Sequence, residues 1–130
     1  MIHVAIPAYN EEHLVAATIE AARHSLHEAF GAERISIWVV DDGSADETAS
    51  AASAAGARVV RLGANKGKGR ALRELLYRTE GFVVHGDDVV LLLDADLGIA
   101  AREAPALAKP VVDGACDMAI AVFPPAMRKG

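Results

Sequence analysis

Residues able to do chemistry fall into four short clusters along the chain, and the most pointed is VVLLLDADLG, residues 89–98. Five apolar residues run directly into Asp94, and Asp96 follows two positions later. A buried strand ending in two carboxylates needs compensation, because burying unpaired charge is costly. Residues i and i+2 of a strand point the same way, so both carboxylates can face one spot. Hard divalent cations such as Mg2+ or Mn2+ accept carboxylate oxygens and keep positions open for phosphate oxygens. The pair therefore points to a metal-bound diphosphate. Read alone, it fits equally a helix cap at Asp96 beside a solvated Asp94.

The cluster GANKGKG, residues 63–69, adds positive charge. Glycines let backbone amides turn into a cavity, and a following helix N-terminus favours anions. Lys66, Lys68 and Arg70 bring full charges, and Lys68, between Gly67 and Gly69, is the best candidate for touching phosphate. The segment is not a P-loop: Gly63 lies too close to Gly67-Lys68, and Gly69 stands where Ser or Thr is required. It is not a dinucleotide fingerprint either, since Leu72 closes its G-x-G-x-x run and it follows the third strand.

In VVDDGSADET, residues 39–48, the adjacent Asp41 and Asp42 point to opposite faces of a strand, so one faces a ligand while the other binds backbone or a neighbouring base. A carboxylate suits the N–H of uracil or guanine, or a ribose hydroxyl. Ser44 and Glu47 have capping-box spacing, and Asp46 and Thr48 read as local structure. PAYNEE, residues 7–12, places the backbone of Pro7, Ala8 and Tyr9 beside a base, with Tyr9 as an apolar wall. Glu11 could accept from a ribose hydroxyl or orient Lys68. Read alone, the segment is a helix start capped by Asn10.

The elements that must position these clusters alternate regularly. Strands are expected at 2–7 (stopped by Pro7), 35–40, 57–62, 89–93 and 117–123. Between them, Val15, Ile19, Ala22, Leu26 and Phe30 form a helical stripe ended by Gly31. Further helices are expected after Ser44, from Arg70 to Thr79, and near 99–108, where Pro110 disturbs the last. Segment 80–88 reads as an extra turn or a short edge strand. This pattern predicts an α/β fold: a doubly wound, mostly parallel sheet with helices on both faces. All four clusters then fall at the carboxyl ends of strands, where such sheets bind ligands.

With 130 residues the chain suits a single domain, 1–130. Its net charge of −5 argues against nucleic acid or an anionic membrane as main partner. The lone Cys116 excludes an internal disulfide and a cysteine zinc site, and is expected to be buried and inert. No leader or long apolar span is evident, so the expectation is a cytoplasmic protein or a cytoplasmic piece of one. Trp38 reads as core, and the five histidines lack a metalloprotease spacing.

In this order, IPAYNEE, VVDDGSADET, NKGKGRAL and LLLDADLG resemble the nucleotide-sugar-binding half of a GT-A-fold glycosyltransferase of family 2, near the glucosyl-3-phosphoglycerate synthase type. The resemblance covers roughly residues 2–125. It implies that Pro7, Ala8, Tyr9 and Glu11 line the base and ribose of a UDP- or GDP-linked sugar. Asp42 would contact base or ribose with Asp41 supporting it, and Gly67 and Lys68 would approach the phosphates or base. Asp94 would face ribose or sugar beside Ala95. Asp96, with Asp94, would hold Mg2+ or Mn2+ on the diphosphate.

Family members continue past the D-x-D into an acceptor-binding half, so the chain is expected to be an N-terminal portion with little or no transfer of a hexose by itself. The acceptor stays open, and self-association through exposed apolar surface is a further expectation. Two alternatives remain: a non-catalytic nucleotide- or metal-binding module, and a sugar-phosphate nucleotidyltransferase. The second would need a Gly-rich loop with Arg after the first strand, which PAYNEE lacks.

Overall fold

The computed structural model describes residues 1–121. Its strands are β1 (Ile2–Ala8), β2 (Ile35–Asp41), β3 (Arg58–Arg61) and β4 (Val89–Leu92). Its α-helices are α1 (Val15–Phe30), α2 (Thr48–Ala54), α3 (Lys68–Arg78) and α4 (Ala104–Val112), with 3-10 turns at Ala32–Arg34 and Gly98–Glu103. The sheet order is β3-β2-β1-β4 and every pair is parallel. The chain moves outward from β1 to β3, then crosses back to place β4 on the other side of β1. The winding therefore reverses between β1 and β4, and ligands of open α/β sheets bind at such a reversal.

Alternation along the strands builds two cores. Ile2, Val4 and Ile6 of β1, with Ile37, Val39 and Leu91, pack against Val15, Ile19, Ala22 and Leu26 of α1 and against alanines of α2 and α4. Each fully buried Ile or Leu contributes about 1.5–3 kcal/mol of transfer free energy. On the other face Ala5, Trp38 and Val40 pack against Ala71 and Leu75 of α3 and against Phe82. Trp38 is core as expected; its indole N–H donates to Ser36 Oγ at 2.8 Å, and Phe82 meets its ring edge-on. The expected doubly wound arrangement is what the chain adopts. Among the described residues no helix is long and apolar enough to cross a membrane.

Several local expectations are corrected. β1 is not stopped by Pro7 but runs on to Ala8. Leu93 N–H donates to the Ala5 carbonyl, so Ala5 and, two residues on, Pro7 face the β4 side. β4 pairs only as far as Ala5, so the N–H that proline lacks would have pointed past its end. Helix α1 begins at Val15 rather than just after Asn10, because Asn10 adopts φ 52°, a left-handed conformation that does not start a helix. Helix α2 begins at Thr48, so Ser44 and Glu47 do not form a capping box.

Pro110 lies inside α4, which continues to Val112. It forfeits one N–H near the helix end, while its carbonyl accepts from Ala115 at 2.9 Å. Segment 80–88 contains turns and no strand. Of the expected strand 117–123, residues 117–121 form no strand and the rest lie outside the described residues. Cys116 is half-buried rather than buried.

Candidate functional site

At the winding reversal the strand tips enclose a cleft of about 110 Å³. Pro7, Ala8, Tyr9 and Glu11 line it from the end of β1, and Asp42 from the end of β2. Lys68 enters from the first residue of α3, and Asp94, Ala95 and Asp96 from the loop after β4. All four sequence clusters thus reach the cleft, two of them through a single residue, Asp42 and Lys68.

Of the predicted site residues, Asp41 and Gly67 do not line the cleft. Asp41 is buried on the opposite face of β2; its Oδ1 accepts from Ser44 N–H at 3.0 Å, and the Arg61 Nε stands 3.8 Å from Oδ2. Gly67 directs its N–H at Asp42 Oδ2, 2.8 Å away.

Asp42 organises the basic loop. It is 3% exposed, and Lys66 N–H also donates to it at 3.2 Å, with the Arg70 Nη1 3.8 Å from Oδ1. The loop turns around this carboxylate through Gly67, at φ 98°. That places Lys68 at the head of α3. A carboxylate has roughly four acceptor positions, so Asp42 retains capacity for a donor in the cleft. Gly43, at φ 79°, permits the close fit of the two loops: a Cβ there would stand 2.7 Å from the Ala64 carbonyl carbon.

Lys68 Nζ donates to Asp94 Oδ1 at 2.7 Å, bridging the cleft from α3 to the loop after β4. The compensation for the two terminal carboxylates is therefore in part lysine. Asp94 is exposed and Asp96 half-buried. Because β4 ends at Leu92, the two carboxylates share the cleft through the course of the loop rather than through strand alternation. Among the described residues no group of three or more His, Cys, Asp or Glu side chains could hold a metal ion.

The polar residues expected as helix caps instead clasp the PAYNEE and DDGSADET loops together. Asn10 N–H donates to Ser44 Oγ at 2.8 Å, and Ala45 N–H to Asn10 Oδ1 at 3.0 Å. Glu11 N–H donates to the fully buried Thr48 Oγ1, Glu12 N–H to Asp46 Oδ2, and Glu47 N–H to Glu12 Oε2. Desolvation pushes the Asp46 carboxyl upward, but hydrogen bonds from the Thr48 hydroxyl and backbone and from Glu12 outweigh it and hold it below its ordinary value. Sequence reasoning assigned Asp46 and Thr48 to local structure without finding their partners. Matched acceptors and backbone donors in two loops were the only signal available.

At the other end of the strands, Asp88 accepts from Met1 and from His85 N–H and shares a hydrogen bond with the buried His3 Nε2 at 2.9 Å. His3, followed by His85 and the N-terminal ammonium, holds its carboxyl far below the usual range. This cluster ties β4 to β1 and lies away from the cleft.

The sequence matches the family described as Glycosyl transferase family 2 over residues 3–129. The chain belongs to that family. This family 2 chain is 37% identical over 103 residues to glucosyl-3-phosphoglycerate synthase of Mycobacterium tuberculosis, covering 74% of this chain and 29% of that protein. It is 31% identical over 119 residues to the protein RfbJ of Shigella flexneri, covering 92% of this chain and 82% of RfbJ.

A crystal structure of the M. tuberculosis synthase with Mn2+, UDP and phosphoglyceric acid superposes with a TM-score of 0.65 at 32% identity, over 86% of this chain and 39% of that one. The four-stranded sheet is the GT-A arrangement these structures share. The chain thus spans well under half the length of the synthase it matches.

Proposed function

We propose that this chain binds a nucleoside-diphosphate sugar, UDP-linked in the leading case, with a divalent cation on its diphosphate, as the donor-binding part of a hexosyl-transferring enzyme. The observation that carries the reading is the meeting of Lys68, Asp94 and Asp96 in one cleft at the winding reversal. It is supported by the UDP and the Mn2+ or Mg2+ in structures of the synthase it resembles.

The donor set fits the metal. Mg2+ and similar ions commonly use one or two carboxylates, complete their shell with water and substrate phosphates, and need no all-protein cage. Asp96, with Asp94, would hold the ion. When bound, it would neutralise charge developing on the departing nucleoside diphosphate. Asp42 accepts an N–H of the base or a ribose hydroxyl, Tyr9 walls the base, and the backbone at Pro7 and Ala8 faces its edge. Lys68 exchanges Asp94 for a phosphate oxygen.

Calorimetry with UDP, with and without Mn2+, tests the reading. The expected result is binding strengthened by Mn2+, with the strengthening lost in Asp96→Ala. Binding indifferent to metal in the wild type, or restricted to nucleoside triphosphates, overturns it in favour of a non-catalytic module or a nucleotidyltransferase.

A further inference from the structure

A fully buried hydroxyl lies directly behind the carboxylate loop. Thr18, on the core-facing side of α1, has no exposed surface. Its Oγ1 lies 2.7 Å from the Ala95 carbonyl and 2.9 Å from the Leu14 carbonyl, and it accepts from Gly98 N–H at 2.8 Å. A hydroxyl carries one hydrogen and two lone pairs, so the carbonyls share the hydrogen while Gly98 takes a lone pair. The bond to Leu14, four residues back, is the ordinary habit of threonine in a helix. The other two are not, since they reach 77 and 80 residues along the chain.

These two contacts bracket Asp96. Ala95 precedes it, its methyl buried in the core, and Gly98 lies two residues beyond, at φ 56°. Leu93 N–H is already held by the Ala5 carbonyl. The backbone is thus fixed before, at and after the carboxylate pair, and Thr18 supplies the last two fixings from the interior.

We propose that Thr18 is a positioning residue for Asp96: it sets the path of the DADLG backbone so that the carboxylate meets the metal-bound diphosphate. This rests on the proposed donor site. Thr18→Val keeps the shape and removes the hydroxyl; Thr18→Ser keeps the hydroxyl. In calorimetry, Thr18→Val is expected to weaken UDP binding about tenfold in the presence of Mn2+ and less than about twofold without it, in line with the effect of losing metal-orienting partners. Thr18→Ser restores the Mn2+-dependent part.

A second measurement needs neither nucleotide nor metal. Amide hydrogen exchange at Gly98 is expected to quicken at least about tenfold in Thr18→Val relative to other amides of equal protection. If Thr18→Val does not fold, Thr18→Cys, with its weak donor and acceptor, is read in the same two ways. Equal losses with and without Mn2+, or no loss in either, overturn the proposal. Unchanged Gly98 exchange overturns it too. Quickened Gly98 exchange in a protein whose wild type ignores Mn2+ removes the donor-site reading but leaves Thr18 as the holder of the loop.

Discussion

Replacing Lys68 by methionine separates folding from binding in one side chain. Methionine retains most of the aliphatic stem and removes the ammonium that stands 2.7 Å from Asp94, with the two side chains 68% and 51% exposed. An ion pair in that much water contributes roughly 0.2–1 kcal/mol. For a domain of this size the melting midpoint should then fall by no more than about 2–4 °C. Binding is different, because a charge-assisted hydrogen bond to phosphate contributes about 1.5–3 kcal/mol. Leaving Asp94 offsets about half a kcal/mol of that.

The remaining 1–2.5 kcal/mol, roughly, corresponds to a dissociation constant raised about five- to seventyfold. Titration calorimetry with UDP and Mn2+ reads the second quantity and a thermal melt the first. Raising salt should shrink the difference between the proteins, since the Debye length falls from about 10 Å at 0.1 M to about 3 Å at 1 M. An affinity within twofold of wild type, or a melting loss beyond about 8 °C, would refute the assignment of Lys68 to the diphosphate.

The glycines of the two inner loops separate close approach from backbone strain. Gly43→Ala meets the Ala64 and Asn65 backbone at 2.7 and 2.8 Å, whereas Gly67→Ala meets nothing within 4 Å although both have positive φ. Urea midpoints should show Gly67→Ala losing about 1–3 kcal/mol, the cost of its extended positive-φ backbone alone, and Gly43→Ala losing clearly more. Asp88 bears on acid stability. Its carboxyl is held below the ordinary value in the folded chain, so its contribution is complete above about pH 4–5 and fades as pH falls through the folded value. Asp88→Asn should therefore be less stable than wild type at pH 6, and the gap in urea midpoint should narrow by pH 3. A gap that widens on acidification contradicts the His3–Asp88 arrangement.

Strand and helix order was legible because apolar runs such as VVLLL and the stripe from Val15 to Leu26 have the lengths and periods of buried strands and amphipathic helices. Boundaries were less legible where tertiary contacts competed with local rules. Asn10, Ser44 and Glu47 have the composition of helix caps, yet Asn10 and Ser44 find better-placed partners in the other loop, and the Glu47 carboxylate accepts from the Ser50 hydroxyl. Pro7 reads as a strand stop until the short reach of β4 shows that its missing donor faces no acceptor. The residues of the candidate cleft were mostly nameable, because polar types at strand ends are conspicuous. Alternation said only that Asp41 and Asp42 differ; the family resemblance named Asp42 as the one facing the ligand, and the structure places Asp42 in the cleft with Asp41 buried beside it.

The sequence by itself determined which residues carry charge at the strand tips and, through hydrophobic period, that parallel strands would bring those tips to one edge. Only the tertiary structure decided that Lys68 bridges to Asp94, that two loops are clasped by their presumed caps, and that Thr18 holds the DADLG loop from within. The reason is physical: period and propensity act between residues a few positions apart. A hydrogen bond across 77 residues exists only once packing has set both of its ends.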